Sequence, residues 1–324
     1  MQIDLLEDIY YNNEYISLYL KEGDEIFDFR YEEGKNIFVN KSIKRPIKSI
    51  GNRFVEDGYF DLESAYGYGG YFTNTEDKVF LNKAFSKYVT KCNKEKVIAE
   101  FIRFHPFNEF PIRNSEFLNF NIYDRDIVIV DLLQDVFRSY KAKVRNTVKR
   151  ASEKVILKES DNIEAFVELY DKTMKKNNAS NFYYFDSQLI SSLFKIGQVK
   201  LYEIIYEKKI VAMGFFMFGN EVAHYHLSAN SDLSYKLNSN YVLLNSLFEI
   251  AKEKGLSYFM IGGGMTSERD DSLLKYKMKF SQMTKPFYIS GKVFDEETYN
   301  RYLGIWEEQS SSDVKYFLKY RLDI

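Results

Sequence analysis

LSYFMIGGGMTSERDDSLLKYKMKFS, Leu256 to Ser281, decides how the chain reads. An apolar run ends in three glycines, Gly262, Gly263 and Gly264. A polar loop follows, and then a short basic helix opening at Asp270, Asp271 and Ser272. Those last three are cap residues, whose oxygens accept from free N–H groups of a first helical turn. A strand, a glycine turn and a helix N-terminus together make a site for a polar or anionic ligand.

Working outward, Tyr241 to Lys254 reads as a helix, apolar nearly all round and therefore buried, with Asn240 to cap its start and Gly255 its end. NSDLSYKLNSN (230–240) before it reads as a polar loop. Three strands precede the loop, at 199–206, 210–218 and 221–229, joined by the turns EKK and GN. Earlier still come a short strand at 154–158, a helix from Asp161 to Asn177, the string NFYYF (181–185) and a helix from Asp186 to Ile196. After Ser281 come a strand at 286–294 and a helix at 295–309 holding Trp306. The tail SSSDVKYFLKYRLDI reads as one more helix or strand. The order β-α-α-β-β-β-α-β-α-β predicts an α/β fold, a mixed sheet covered by helices on both faces.

The first part is a looser version of the same material. Residues 1–24 read as a helix and a turn, Glu25 to Val39 as two strands, and Lys44 to Ile50 as a third. A helix is expected over Asp77–Lys91, and strands over Val97–Phe104 and Asp126–Leu132. This predicts two similar sheet domains, 1–135 and 154–324, joined by a basic helix at 136–153, although no internal sequence repeat is visible.

The joining segment, RSYKAKVRNTVKRASEK (138–154), carries seven Lys/Arg and one Glu, a net +6 in a chain of net −2, so the remainder carries −8. As one helix it places Phe137, Tyr140, Val144, Val148 and Ala151 on an apolar stripe beside Arg138, Lys141, Arg145 and Lys149. Such a face is either simply solvated or a cradle for phosphates, with Arg145 as a bidentate clamp. Near-neutral net charge argues against coating of DNA.

Composition bounds the rest. The 324 residues are 45% hydrophobic and include 27 Tyr and 28 Phe, enough for a large folded core. One cysteine, Cys92, and three histidines build neither a disulfide nor a zinc cluster, so no metal is expected. The N-terminus has no signal-peptide pattern and no run approaches a membrane span, which together predict a cytoplasmic protein that still permits peripheral membrane contact.

Several residues have chemistry to offer. His224 and His226 lie two apart on one strand and are expected on the same face, where they suit a general base better than a metal pair. Lys277 reads from composition alone as a surface lysine on a helix with Lys275 and Lys279. Asp271 is a cap, or a group that orients an amine or sugar hydroxyl. The glycines 262–264 and Ser272 are expected to hold a co-substrate. SAYGYGG (64–70) mixes glycines with flat aromatic faces, which makes Tyr66, Gly67 and Tyr68, with Tyr183 and Tyr184, candidates for stacking on a sugar or base. Arg103 and His105 share one face at a strand end.

The strings SAYGYGG (64–70), RFHP (103–106), VRNTVKRA (144–151), YYF (183–185), HYHLSA (224–229) and GGG…DDSLLKYKMKFS (262–281), with the element order, resemble the FemAB-like branch of the GNAT superfamily. The resemblance implies two tandem GNAT-like domains and acyl or aminoacyl transfer to an amine, with Lys277 near the donor carbonyl or a phosphate, where it would stabilise the developing oxyanion. Its donors are acyl-CoA as co-substrate or aminoacyl-tRNA. A CoA-binding GNAT carries a glycine-bearing pyrophosphate loop where this chain has SANSDLSYKLNSN, with no glycine and one lysine, Lys236. Three readings follow: an acyltransferase acting on an amino group of a glycan or cell-envelope precursor, such as a small nucleotide-linked or lipid-linked sugar; a tRNA-dependent aminoacyltransferase of the peptidoglycan-bridge type; or a binding module that kept the fold without the chemistry.

Overall fold

The computed structural model describes residues 3–180 and 183–324; the first two residues of the expected NFYYF string lie outside them. The chain divides into two units, each built from two stretches. The first is Met1–Ile9 with Arg125–Lys285, and the second is Tyr10–Asp124 with Pro286–Ile324. This differs from the expected division into 1–135, 136–153 and 154–324. The basic segment packs inside the first unit, and the final strand and helix belong to the second.

In the first unit, Ile156–Ser160 is the edge strand against Val199–Tyr206. Then come Lys209–Phe218 and Val222–Asn230, all antiparallel. The helix Ser239–Glu253 follows, with Val242, Leu243, Leu247, Phe248 and Ala251 buried. It returns the chain to Tyr258–Gly262, parallel to Val222–Asn230. The outer neighbour of that strand is the antiparallel stretch ending at Asp131. The second unit repeats the succession. Glu25–Glu33, Asn36–Pro46 and Phe60–Glu63 are antiparallel, the helix Lys78–Lys94 follows, and Val97–Arg103 returns parallel to Phe60–Glu63. Its outer neighbour is Ile289–Val293, antiparallel. The α/β fold and the tandem arrangement are therefore as expected, carried by topology where the sequence shows no repeat.

Local chemistry explains where elements differ from expectation. The basic segment is not one helix. Val136–Ser139, capped by the Asp135 carboxylate, stops at Tyr140, whose extended ψ of 148° breaks the spiral, and Ala142–Ser152 begins anew. The polar loop holds a helix, Asp232–Leu237, because the Ser231 side chain accepts from Ser234 N. The next helix starts at Ser239 from a left-handed Asn238 that makes no side-chain cap bond, so Asn240 is not its cap. The tail forms only a 3-10 turn, Lys319–Arg321.

Arg321 ties that tail down within the second unit. Its guanidinium grips the buried Asp61 through two bonds of 2.7 and 2.8 Å and donates to the carbonyls of Arg45 and Pro46. Deeper in the same unit, the fully buried Glu100 accepts from Tyr71 Oη and Tyr88 Oη at 2.6 Å, Asn40 Nδ2 at 2.7 Å and Ser42 Oγ at 2.8 Å. Four donors satisfy a carboxylate that the aromatic core would otherwise exclude.

Candidate active site

The first unit contains a fork. The parallel strands pair only over Val222–His224 and Tyr258–Met260. Beyond that each keeps its outer partner, and each carries one extra residue. His226 is skipped between the pairs Phe216–Tyr225 and Phe215–Leu227, and Ile261 between Met260–Ile129 and Gly262–Val128. A bulge bends and twists its strand. The bulges lie one and two residues past the last shared rung, His224 with Met260, where the two strands stop pairing, and strand edges freed from pairing are able to take an extended ligand segment.

One prong ends in the glycine turn. Gly262 has φ +90°, and a Cβ there would lie 3.0 Å from Lys277 Nζ. Lys277 Nζ donates to Gly263 O at 2.7 Å, and Arg125 Nη1 donates to Gly264 O at 2.8 Å. A Cβ on Gly263 would sit 2.9 Å from Asp126 O, so that position admits no side chain. The glycines thus let two cations close on the backbone. Burial pushes the Lys277 amine down to about 8, with Arg125 adding to the effect and Asp271 opposing it.

Asp271 holds the loop together. Its Oδ1 accepts from Leu274 N at 2.8 Å, capping Ser272–Lys277, while Oδ2 accepts from Met265 N at 3.0 Å and Thr266 N at 3.2 Å. Burial works to raise this carboxyl, but the backbone N–H groups of Leu274, Thr266 and Met265 outweigh it and hold it below its ordinary range. Ser272 is exposed at the first helical position.

The other prong carries the histidines. His224 is 2% exposed, and its Nε2 lies 2.8 Å from Oδ2 of the equally buried Asp8. The same face expected for His224 and His226 is not supported by their spacing, because the bulge at His226 interrupts the two-residue alternation between them. Burial, and then the neighbouring His224, push His226 down to about 3, which keeps it neutral. Asp8 and Arg125 were not singled out from the sequence. They lie 216 and 139 residues from their partners, and no local spacing signals either contact.

Two other candidates of this unit stand elsewhere. Arg145 Nη1 donates to Arg138 O at 3.2 Å and to Tyr140 O, closing the break in the basic segment. That use competes with the phosphate clamp expected of it. Tyr183 and Tyr184 are exposed, and Tyr170 Oη donates to Tyr183 O at 2.8 Å.

The remaining candidates belong to the second unit. Gly67 has φ +97°, and a Cβ there would lie 2.3 Å from the Tyr10 ring. Tyr66 stacks on Tyr19, and its carbonyl accepts from Tyr15 Oη at 2.8 Å. Tyr68 sets its ring edge-on to Tyr10, His105 and Phe287. Fully buried His105 accepts from Phe107 N through Nδ1 at 3.2 Å, and Arg103 lies over the Phe101 ring. These aromatic faces are largely spent on one another, which leaves less of them for a sugar than the sequence suggested.

Residues 138–278 match the model of a family described as an acetyltransferase (GNAT) domain, a span that encloses the fork and Lys277. No curated protein sequence matches the chain. Among solved structures, FemX is similar with a TM-score of 0.71 at 13% identity, over 92% of this chain and 94% of that one. The C-terminal domain of a putative lysylphosphatidylglycerol synthetase from Agrobacterium fabrum is similar with a TM-score of 0.54 at 14% identity, over 93% and 96%. L-PGS from Bacillus licheniformis has a TM-score of 0.54 at 14% identity, over 86% and 91%. The fold is that of a GNAT acyltransferase. More narrowly, the chain shares its fold over nearly its whole length with FemX. Among the described residues, no helix is long and apolar enough to cross a membrane.

Proposed function

We propose that the chain is an N-acyltransferase that forms an amide on an amino group of a glycan or cell-envelope precursor, such as a nucleotide-linked amino sugar. The observation that carries this reading is the fork, with a lysine tuned near working pH on one prong and a neutral histidine on the other. The amine nitrogen attacks the carbonyl carbon of an activated acyl donor, the C–N bond forms, and the carbonyl oxygen takes negative charge. Lys277, still mostly protonated at neutral pH, stabilises that oxyanion. His226 accepts a hydrogen bond from the amine and orients it. With a value near 3 it is far from matched to the proton it would have to hold, so the proton passes to water. The leaving group departs as the carbonyl re-forms. No serine or cysteine nucleophile is needed, and Cys92 is buried with its thiol pushed up by burial.

A second reading, an aminoacyl-tRNA donor, is favoured by one observation. The stretch where a pyrophosphate loop is expected is helical over Asp232–Leu237 and has no glycine. A fold relative described as a putative lysylphosphatidylglycerol synthetase, a name that denotes a lysyl product, also favours an aminoacyl donor.

A thermal-shift panel of acyl-CoAs, charged tRNA and amino-sugar nucleotides tests both. A ligand at a hundred times its Kd stabilises by about 2.7 kcal/mol, or roughly 5–10 °C for a unit of this size. No shift with any amino-sugar nucleotide would remove the proposed acceptor. A shift with charged tRNA that collapses on raising salt would favour the second reading. Failure of every donor to support transfer would leave the binding module.

A further inference from the structure

The basic segment of the first unit is used only in part by the fold. Val144, Val148 and Ala151 bury one stripe of Ala142–Ser152 against the core. The opposite face presents Lys143, Lys149 and Arg150, all exposed, with Lys141 before the helix and Lys154 after it. None of these five cations has an acidic partner among the ion pairs of the described residues, whereas Arg138 is paired with Asp135 at 3.1 Å. Other exposed lysines are either ion-paired, as in Lys83–Glu33 and Lys175–Asp171, or scattered, as Lys87 and Lys236 are; the segment differs in placing five unpaired cations within fourteen residues. A rod of about 16 Å is therefore left strongly positive on a chain whose remainder is acidic.

We infer that this face docks the protein on an anionic phospholipid bilayer. Unpaired lysines and arginines clustered on an amphipathic helix are attracted to acidic headgroups. One large aliphatic side chain, Leu133, stands 67% exposed just before the segment and adds an apolar contact. The patch lacks what RNA readers add to charge, namely open aromatic faces for base stacking. Tyr140 is buried, and the half-buried Phe137 lies under Lys149, whose Nζ is 6.0 Å from the ring centroid. The inference is independent of the acyl donor and acceptor.

Co-sedimentation of the full chain with vesicles tests it. The protein is expected to pellet with phosphatidylcholine vesicles containing phosphatidylglycerol, to stay in solution with phosphatidylcholine alone, and to be released by high salt. Each exposed cation contributes about five-fold to partitioning. The triple variant Lys143→Glu, Lys149→Glu and Arg150→Glu removes three cations and adds three anions, so it should lose more than about a hundredfold, with an unchanged melting temperature. Leu133→Ser should lose a few-fold. The inference is overturned if the wild type ignores anionic vesicles at low salt, or if the triple variant pellets like the wild type. It is equally overturned if the patch governs retention of a tRNA transcript while vesicles bind neither form.

Discussion

Asp271→Ala separates a structural carboxylate from a chemical one. In the folded protein this side chain caps Ser272–Lys277 through Leu274 N and holds Met265 N and Thr266 N across the loop. Losing the cap costs about 1 kcal/mol. Two further charge-assisted bonds at a partly exposed site add about 1–2 kcal/mol together. The sum, roughly 2–3 kcal/mol, corresponds to a fall in melting temperature of about 4–12 °C for a unit of this size. Hydrogen exchange should quicken at residues 263–268 before it does elsewhere, because the loop opens locally at lower cost than the unit unfolds. Asn is also a good cap, so Asp271→Asn should recover about half of the loss. The carboxyl titrates below its ordinary range when folded. Its charge-dependent stabilisation is therefore present above that range and lost as pH falls through the folded value. Differential scanning fluorimetry with mass-spectrometric exchange reads all of this. If Asp271→Ala melted like the wild type and kept its loop protected while transfer vanished, the carboxylate would be acting on substrate and the structural reasoning would be wrong.

Three further outcomes are expected. Glu100→Ala strands four buried donors and should cost about 3–5 kcal/mol in denaturant unfolding. Burial holds the Glu100 carboxyl above its ordinary range, so the folded unit keeps a proton that the unfolded chain has released. Stability should then decline as pH rises across that interval, and Glu100→Gln should flatten the decline. Arg321→Lys cannot reproduce the two-pronged grip on Asp61 and should cost about 2–4 kcal/mol, with faster proteolysis beyond Trp306 as the check. The rate of acyl transfer should fall as pH rises through about 8, where Lys277 loses its charge, and Lys277→Arg should move that limb upward; a rate that climbs without a break would contradict the assignment.

Much of the fold could be read from residue order because its signals are local. The hairpins through Val199–Tyr206, Lys209–Phe218 and Val222–Asn230 alternate cleanly around short turns, and the helix Ser239–Glu253 is marked by its apolar run. What escaped was either masked by polarity or set by distance. Asp232–Leu237 looked like a loop because only Ser234 is buried in it. The break at Tyr140 is a backbone turn held by Arg145, and no propensity announces it. The interleaved units depend on strands meeting across more than a hundred residues. At the site, Lys277 and the glycines were visible as a motif, but their bonding was not. The glycines admit Lys277 and Arg125 to the backbone carbonyls, and Asp271 proves to be the clasp of the loop. His224 was legible as a candidate only without Asp8, the partner that fixes it.

Amide formation at the fork should depend on the Lys277 charge. Purified wild type and Lys277→Met, with acyl-CoA or aminoacyl-tRNA as donor and amino-sugar nucleotides as acceptors, should be compared by mass spectrometry of the product. The wild type should give an amide product, and the variant, still folded and binding the acceptor, a rate at least about a hundredfold lower. Equal rates from both proteins would contradict it.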